Sequence, residues 1–228
     1  MTLLHLAAEE GTVQIIGFLL NSLKGHETIL KSLLEATSYY KNQTALHLAA
    51  AGGYLDAVQW LVERGADVNA KSTSRQFSLR KTDQSALHWA AQENKWEVVQ
   101  WLVEHGKANV EAADNDGRTV LHYAAQGAKL EVVQWLVEHG KANVEAADND
   151  GRTVLHYAAQ RAKLEVVQWL VEHGKANVEA ADNDGRTVLH YAAQGAKLEV
   201  VQWLVEHGKA NVEAADNDGR TVLHYAAQ

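Results

Sequence analysis

Apolar and polar residues follow a helical period along much of this chain of 228 residues. Between Leu130 and His139, apolar side chains at positions 130, 133, 136 and 137 fall on one helix face, which predicts a helix with Gly140 as its C-terminal glycine. The preceding segment, from Thr119 as N-cap to about Gln126, predicts a shorter helix. The sequence therefore predicts pairs of short helices, which are stable only when neighbouring elements cover their faces.

A polar segment, Asp114 to Gly117, precedes each helix pair. Asp and Asn side chains bond to nearby backbone in turns, and Gly117 can adopt a positive φ angle, so this segment predicts a turn. Turn and helix pair form a unit of 34 residues that occurs three times, at 114–147, 148–181 and 182–215. The copies differ at one position, which holds Gly127, Arg161 and Gly195. Such repetition predicts a stack of modules and argues against a single irregular active-site pocket.

The motif Thr-x-Leu-His marks the same place in every repeat. It begins at positions 2, 44, 85, 119, 153, 187 and 221, with Ser85 replacing threonine, so successive repeats are 42, 41, 34, 34, 34 and 34 residues apart. A period of 34 residues fits two families of helix-pair repeats, and the residues distinguish them. The segment from Thr119 to Ala125 resembles the ankyrin signature T-P-L-H-x-A, and the segment from Glu131 to Gly140 resembles the second ankyrin helix. Valine replaces the usual proline, and Lys141 to Asn143 is one residue longer than usual.

The resemblance implies an all-α ankyrin-repeat solenoid, with about six full repeats and a partial one at the C-terminal end. We expect residues 1–228 to form one solenoid, with irregular repeats over 1–113, near-identical repeats over 114–215 and a partial repeat over 216–228. Two insertions lengthen the irregular part. Residues 21–43 carry Ile29, Leu30, Leu33 and Leu34 at a spacing that suits an extra amphipathic turn, and residues 71–84 form a basic, hydroxyl-rich finger.

Charge and composition limit the classes of partner. The formal net charge of -8 lies in residues 85–228, so the repeated part is an acidic rod that nucleic acid is not expected to bind. No run of eighteen apolar residues predicts a membrane span, and no signal peptide precedes the first repeat, so we expect a soluble, cytoplasmic protein. The chain has no cysteine, which excludes disulfides and thiolate chemistry.

Repeated tryptophans and histidines have both structural and functional interpretations. The tryptophans of the second helix could stack a ligand, but their spacing favours packing between repeats: Trp60, Trp101, Trp135, Trp169 and Trp203. The motif histidines could bind zinc, but no cysteine or closely paired histidine supports a metal site. The ankyrin resemblance implies structural hydrogen bonds instead. The turn also lacks the glycine and glutamate positions of a calcium loop. We predict no cofactor, metal or catalytic site.

The resemblance implies that a concave surface of turn tips and first helices binds other proteins. The contact positions of the family correspond here to Asn115, Asp116, Arg118, Gln126, Gly127 and His139. Among the three copies these positions differ only where Arg161 replaces glycine. Because a selected interface should vary between repeats, we expect the irregular part to hold most of the specificity. The candidate partner-binding residues there are Tyr39, Tyr40, Tyr54, Arg75, Phe77, Arg80, Trp89, Glu93 and Trp96.

Two hypotheses for function remain. In the first, the chain is a non-enzymatic protein-interaction scaffold whose irregular repeats bind a protein partner and whose acidic repeats extend it. In the second, the chain is a structural rod or spacer, arisen by tandem duplication or built by repeating one unit. The terminal repeats leave apolar faces uncovered in the sequence, so head-to-tail self-association is also expected under the second hypothesis. An adaptor segment of a longer enzyme is a third, compatible class.

Overall fold

The computed structural model describes residues 1–38, 42–72, 83–127 and 130–227. Within these residues the regular secondary structure is helical, apart from isolated β-bridges. Contacts between Cα atoms divide the chain into two units, Met1–Asn115 and Asp116–Gln228, and each unit is a stack of helix pairs. The predicted all-α repeat fold is confirmed. The finer division at residues 113, 215 and 216 stays a prediction.

The described residues of the first unit form three helix pairs and one additional helix. The pairs are α1 (Leu3–Glu9) with α2 (Val13–Ser22), α4 (Ala45–Gly52) with α5 (Leu55–Glu63), and α6 (Ala86–Gln92) with α7 (Trp96–Glu104). The additional helix, α3 (Glu27–Glu35), lies in the first insertion and buries Leu30 and Leu34. The first helices pack in the order α1, α4, α6, and the second helices in the order α2, α5, α7.

In the second unit, the described residues form three further pairs and one single helix. The pairs are α8 (Val120–Gly127) with α9 (Leu130–Glu138), α10 (Val154–Gln160) with α11 (Leu164–Glu172), and α12 (Val188–Gln194) with α13 (Leu198–Glu206). The single helix α14 (Val222–Ala226) packs on α12. Both helices predicted for the 114–147 repeat are therefore present, with ends one residue from the predicted positions.

Small and apolar residues form the core of each stack. The motif leucine is at most 1% exposed in five consecutive repeats, at Leu46, Leu87, Leu121, Leu155 and Leu189. Paired alanines follow it on the first helix and are buried too, for example Ala158 and Ala159. Because alanine has no side chain beyond Cβ, two first helices can approach each other closely and leave no void between them.

Within each unit, histidines of the Thr-x-Leu-His motif join a repeat to the next one. In the 148–181 repeat, the Thr153 backbone N–H donates to His156 Nδ1 at 3.0 Å, and His156 Nε2 lies 3.2 Å from the Arg186 carbonyl oxygen. An amide can only donate, so Nδ1 accepts and Nε2 carries the proton of a neutral imidazole. The same arrangement holds His5, His47 and His190. The structural role implied for these histidines is confirmed.

The end of the second helix differs from its predicted form. Gly140 follows α9 as expected, but the positive φ angle, 58°, belongs to Lys141. In the second repeat, which lacks the extra residue, Gly65 itself has φ 92°. The additional lysine therefore takes the left-handed position in the later repeats. Glycine is still required at 140, because a Cβ atom there would lie 2.7 Å from the Leu136 carbonyl oxygen.

Candidate functional site

Each regular turn is built around a buried carboxylate. Asp148 accepts hydrogen bonds from the backbone N–H groups of Asp150 and Arg152, at 3.0 and 2.8 Å. Its second oxygen accepts from Arg152 Nε at 2.9 Å and from the Tyr157 hydroxyl at 2.6 Å. Asp182 and Asp216 are held by the equivalent residues of the next two repeats. This network fixes the turn, and it ties the turn to the first helix through the tyrosine.

The network shifts the pKa values of its members in opposite directions. Burial alone would raise the pKa of the Asp148 carboxyl, but the hydrogen bonds from Tyr157 and Arg152 outweigh burial and lower it. Burial and the bond to Asp148 together raise the pKa of the Tyr157 hydroxyl. Near neutral pH the carboxylate is therefore charged and the phenol protonated. This is a structural ion network and not a pair of groups prepared to exchange protons.

Consecutive turns are bonded to each other in the second unit. The Asn183 backbone N–H donates to the Asp150 carbonyl oxygen at 2.9 Å, and its side-chain amide donates to the Asn149 carbonyl oxygen at 2.9 Å. Between them, Gly151 has φ 81°, and a Cβ atom there would lie 2.5 Å from Asn183 Oδ1. Glycine is required for both reasons, and the predicted positive φ at the equivalent Gly117 is confirmed at 81°.

Arg118, one of the predicted contact residues, takes part in its own turn. Its Nη2 lies 2.8 Å from Asp116 Oδ2, and its guanidinium lies 5.0 Å from the Tyr123 ring centroid. Only 16% of its side chain is exposed. The structure therefore places Arg118 mainly as a part of the turn.

Two candidate residues lie on first helices. Trp89 on α6 is half-buried, and its Nε1 donates to Ser72 Oγ at 3.1 Å. This bond takes the place of the tyrosine-aspartate bond in the regular repeats. Ser72 is in turn bonded to Gln84, with which it forms an isolated β-bridge. Gln126 is half-buried near the end of α8.

Four candidate residues lie where a first helix joins a second helix. We call this part of the molecule the inter-helix edge. It comprises residues 52–55, 93–96, 161–164 and 195–198. Tyr54 precedes α5, Glu93 caps the end of α6, Trp96 begins α7, and Arg161 caps the end of α10. Tyr54 is 38% exposed. Its ring packs so closely on Gly11 and Gly52 that a Cβ atom at either glycine would collide with it. The structure thus brings Tyr54, Glu93 and Trp96 to the same edge of consecutive repeats in the first unit.

The remaining candidates lie outside the described residues. They are Tyr39, Tyr40, Arg75, Phe77 and Arg80. The second predicted insertion, at 71–84, overlaps the described chain at both ends, where the Ser72 N–H donates to the Gln84 carbonyl oxygen at 2.9 Å.

The tryptophans of the second helices are largely covered by protein. Trp169 and Trp203 are 8% and 9% exposed, while Trp60, Trp101 and Trp135 are half-buried. Trp169 also stacks on His173, with ring centroids 6.0 Å apart and planes inclined by 12°. The rings are therefore covered by protein, which favours the packing interpretation over a ladder for ligand stacking.

A surface groove in the second unit was missed from the sequence. It has a volume of about 660 Å³ and lies along the starts of α9 and α11, with Leu130, Leu164 and Lys163 among its lining residues. Glu131, Glu165 and Glu199 also line it. The related feature of the sequence is the pair Leu-Glu that opens the second helix of every regular repeat.

Two further features bear on function. Among the residues that the structure describes, no group of three or more His, Asp or Glu side chains is placed to hold a metal ion. No helix in this part of the chain is long and apolar enough to cross a membrane.

Known proteins resemble this chain in sequence and in fold. The family model described as Ankyrin repeats (3 copies) matches residues 1–72, 74–148, 131–214 and 175–228. NF-kappa-B inhibitor alpha from Homo sapiens is 47% identical over 70 residues, which are 31% of this chain and 21% of that protein. The same protein from Mus musculus is 44% identical over 70 residues. The matched part thus spans about a fifth of these relatives.

The crystal structure of the ankyrin repeat domain of Bcl-3, described as a unique member of the IkappaB protein family, has a similar fold. Its TM-score is 0.77 at 31% sequence identity, and the alignment covers 99% of this chain and 94% of that one. The histidine bonds between repeats, the turn network and the helix pairs agree with these matches. The chain belongs to the ankyrin-repeat family, whose members are protein-interaction modules.

Proposed function

We propose that this protein is a non-enzymatic interaction scaffold that binds a protein partner through the irregular repeats of its first unit. The observation that carries the proposal is the position of Tyr54, Glu93 and Trp96 on the inter-helix edge of consecutive repeats. The regular repeats have lysine, glycine or arginine, and leucine at these positions. Aromatic and charged side chains at this edge, where the regular repeats are nearly uniform, support a specific surface in the first unit.

Aromatic side chains at this edge suit a protein interface. Tyrosine and tryptophan are enriched among the residues that contribute most to binding, because they bury a large rigid surface and also offer a hydrogen-bond donor. Tyr54 is partly exposed, but its ring is held by close contacts with Gly11 and Gly52. The Tyr54 side chain would therefore lose little conformational entropy when a partner covers the ring. Trp89 on the first helix would extend this surface toward the turns.

The second unit extends the scaffold in this proposal. It carries sixteen acidic and eleven basic residues between positions 116 and 228, a net charge of -5. The equivalent positions 127, 161 and 195 hold glycine, arginine and glycine, so Arg161 adds one positive charge there. We propose that Arg161 and Gln126 are the places where a partner contacts the second unit. The acidic surface is unsuited to nucleic acid.

The relatives inform the class of partner. The name NF-kappa-B inhibitor alpha gives NF-kappa-B as the target of that protein. Since the match spans about a fifth of its length, we carry over only the class of partner, a protein of unknown identity. The cytoplasmic location predicted from the sequence remains part of this proposal.

Photo-crosslinking from two matched positions tests the proposal. A benzophenone side chain is introduced at Glu93 in the full chain, and separately at the equivalent Gly195 of the regular repeats. We expect the Glu93 position to capture a protein that the Gly195 position does not. Identical sets of captured proteins from both positions, or none from Glu93, would contradict binding at the irregular repeats.

The alternative function is a structural rod that associates with itself. Exposed apolar side chains in the first and last described repeats favour it, since Phe18 is 74% and Leu223 77% exposed. Sedimentation across a concentration series tests this. A mass that rises without a plateau, and falls after Leu223→Glu, supports the rod, whereas a constant monomer mass removes it.

A further inference from the structure

The groove of the second unit has an apolar floor that repeats along the stack. Leu130 and Leu164 begin α9 and α11 and line the groove, and both are half-buried. Leu198 begins α13 at the equivalent position and is 65% exposed. Each regular repeat therefore has one leucine at the start of its second helix that is at least partly open to solvent. A row of partly exposed apolar side chains can serve as a binding surface.

The rim of the groove carries mainly negative charge. Glu131, Glu165 and Glu199 follow the three leucines, and Lys163 is the one cation among the described lining residues. Glu165 and Glu199 are both exposed to solvent. Their position in the first helical turn interacts favourably with the helix dipole, but it leaves the carboxylates facing solvent.

We propose that this groove binds a basic amphipathic peptide segment of a protein partner, with apolar side chains on the leucines and lysine or arginine side chains opposite the glutamates. Apolar contact supplies affinity, and the excess of carboxylates selects a cationic segment over an acidic one. Because the leucine and the glutamate recur in every regular repeat, a longer segment can contact several repeats at once.

The proposal goes beyond the interaction surface of the first unit, because it gives the acidic repeats a ligand of their own. It does not depend on Tyr54, Glu93 or Trp96. A nucleic acid is excluded as the occupant by the sign of the rim charge, and an acidic peptide is excluded for the same reason. A basic peptide without apolar side chains would leave the leucines uncovered.

Fluorescence anisotropy with synthetic peptides measures this binding. The probe is a labelled helical-period peptide of leucine and lysine, added to the full chain at physiological salt. Two control peptides replace either every lysine by glutamate or every leucine by serine. We expect saturable binding of the probe, with affinity at least about tenfold weaker for each control peptide. Equal binding of probe and leucine-free peptide would overturn the proposal.

Charge-matched variants of the protein locate the site. The test variant removes the rim charges with Glu131→Gln, Glu165→Gln and Glu199→Gln. The control removes the same number of exposed charges from the opposite ends of the same helices, with Glu138→Gln, Glu172→Gln and Glu206→Gln. We expect the test variant to weaken binding at least about tenfold and the control less than about twofold. Equal losses in both variants would show nonspecific attraction and refute the site.

A double variant, Leu130→Ser and Leu164→Ser, tests the apolar floor. We expect binding to weaken by about tenfold or more while the far-ultraviolet circular dichroism is retained. Unchanged binding would refute the groove. If this double variant unfolds, the two charge-matched glutamine variants still test the site, because glutamine has the same shape as glutamate. The crosslinking experiment at Glu93 tests the first unit, and the peptide experiment tests the groove of the second unit. Either experiment can fail while the other succeeds, so the two proposals are tested separately.

Discussion

Single residues in the loops between helices carry unfavourable backbone conformations. Gly53 has φ 81° after α4, but the equivalent positions hold Asn94, Ala162 and Ala196, with φ of 61°, 55° and 52°. Asparagine tolerates the left-handed region, whereas the Cβ of alanine crowds the following carbonyl. The regular repeats therefore carry a strained alanine that the second repeat avoids with glycine.

Replacing this alanine should stabilise the protein. We expect Ala196→Gly to raise the free energy of unfolding by about 0.5 to 1 kcal/mol, because relief of the left-handed strain exceeds the added flexibility of the unfolded chain. Denaturant titration measures the change. The control, Ala192→Gly in the buried interior of α12, should lower stability by about 1 kcal/mol. A loss for Ala196→Gly as well would contradict this explanation.

The buried turn carboxylate depends on its tyrosine partner. We expect Tyr157→Phe to destabilise the protein by roughly 1 to 3 kcal/mol, since Asp148 loses a hydrogen bond of 2.6 Å inside the protein. Tyr54→Phe is the control and should change stability by less than about 0.5 kcal/mol. Thermal and denaturant melts distinguish the two variants. Equal effects would mean that the phenolic hydroxyl does not support the turn.

The motif histidines make stability depend on acidity. Burial lowers the pKa of His47 and of His156 from about 6.5 to about 4 in the folded protein. Between these values the unfolded chain binds more protons, so we expect the free energy of unfolding to be highest above pH 6.5 and to fall as the pH decreases toward 4. His47 and His156 each contribute a loss of roughly a few kcal/mol.

Denaturant melts from pH 7 to pH 4 measure this dependence. The control is His173→Gln, which removes an exposed imidazole that stacks on Trp169. In this variant the free energy of unfolding should fall with decreasing pH as it does in the unmodified protein. A free energy of unfolding that is constant from pH 6.5 to pH 4 would contradict a neutral, buried motif histidine.

At the scale of elements, short helices depend on the contacts between repeats. The helices of the regular pairs have seven to nine residues, which is too short for stability alone in water. Their stability comes from the buried leucines and alanines of the first helices and from tryptophans such as Trp169 between second helices. The motif histidines His5, His47, His156 and His190 each add a directional bond to the following repeat.

The tryptophans test this dependence. We expect Trp169→Ala to lower the free energy of unfolding by about 3 kcal/mol, because the indole is 8% exposed and its removal leaves a cavity. Trp135→Ala should act in the same direction. Phe18→Ala is the control: this ring is 74% exposed, so the change should stay below about 0.5 kcal/mol. Losses below that value for both tryptophans would restore the ligand-stacking interpretation.

For the whole molecule, the repeat length and the Thr-x-Leu-His motif were sufficient to predict the helix pairs and the family. Details that depend on neighbouring atoms were not predictable. The transfer of the positive φ from Gly140 to Lys141 follows from one added residue, and the closure of the turn by Tyr157 on Asp148 depends on two residues that only folding brings together. The groove at Leu164 was missed because each leucine looked like an ordinary helix residue.

The candidate site was predictable in part. Sequence variety pointed to Tyr54, Glu93 and Trp96, and the structure adds that they share an edge. Sequence alone did not show that Arg118 bonds within its own turn. Periodicity identifies which residues recur, but it does not show which side chains remain available to a partner.

The central claim is that the irregular edge of the first unit binds a protein partner, and one exchange of residues tests it most directly. Tyr54→Lys, Glu93→Gly and Trp96→Leu give this edge the residues that the regular repeats already carry, so the fold should be retained. The control, Glu172→Gln, changes an exposed residue of the regular repeats at the far end of α11. For a partner captured by crosslinking, we predict that calorimetry shows an affinity at least about tenfold weaker for the exchanged chain and nearly unchanged for the control. Unchanged affinity of the exchanged chain would contradict the claim.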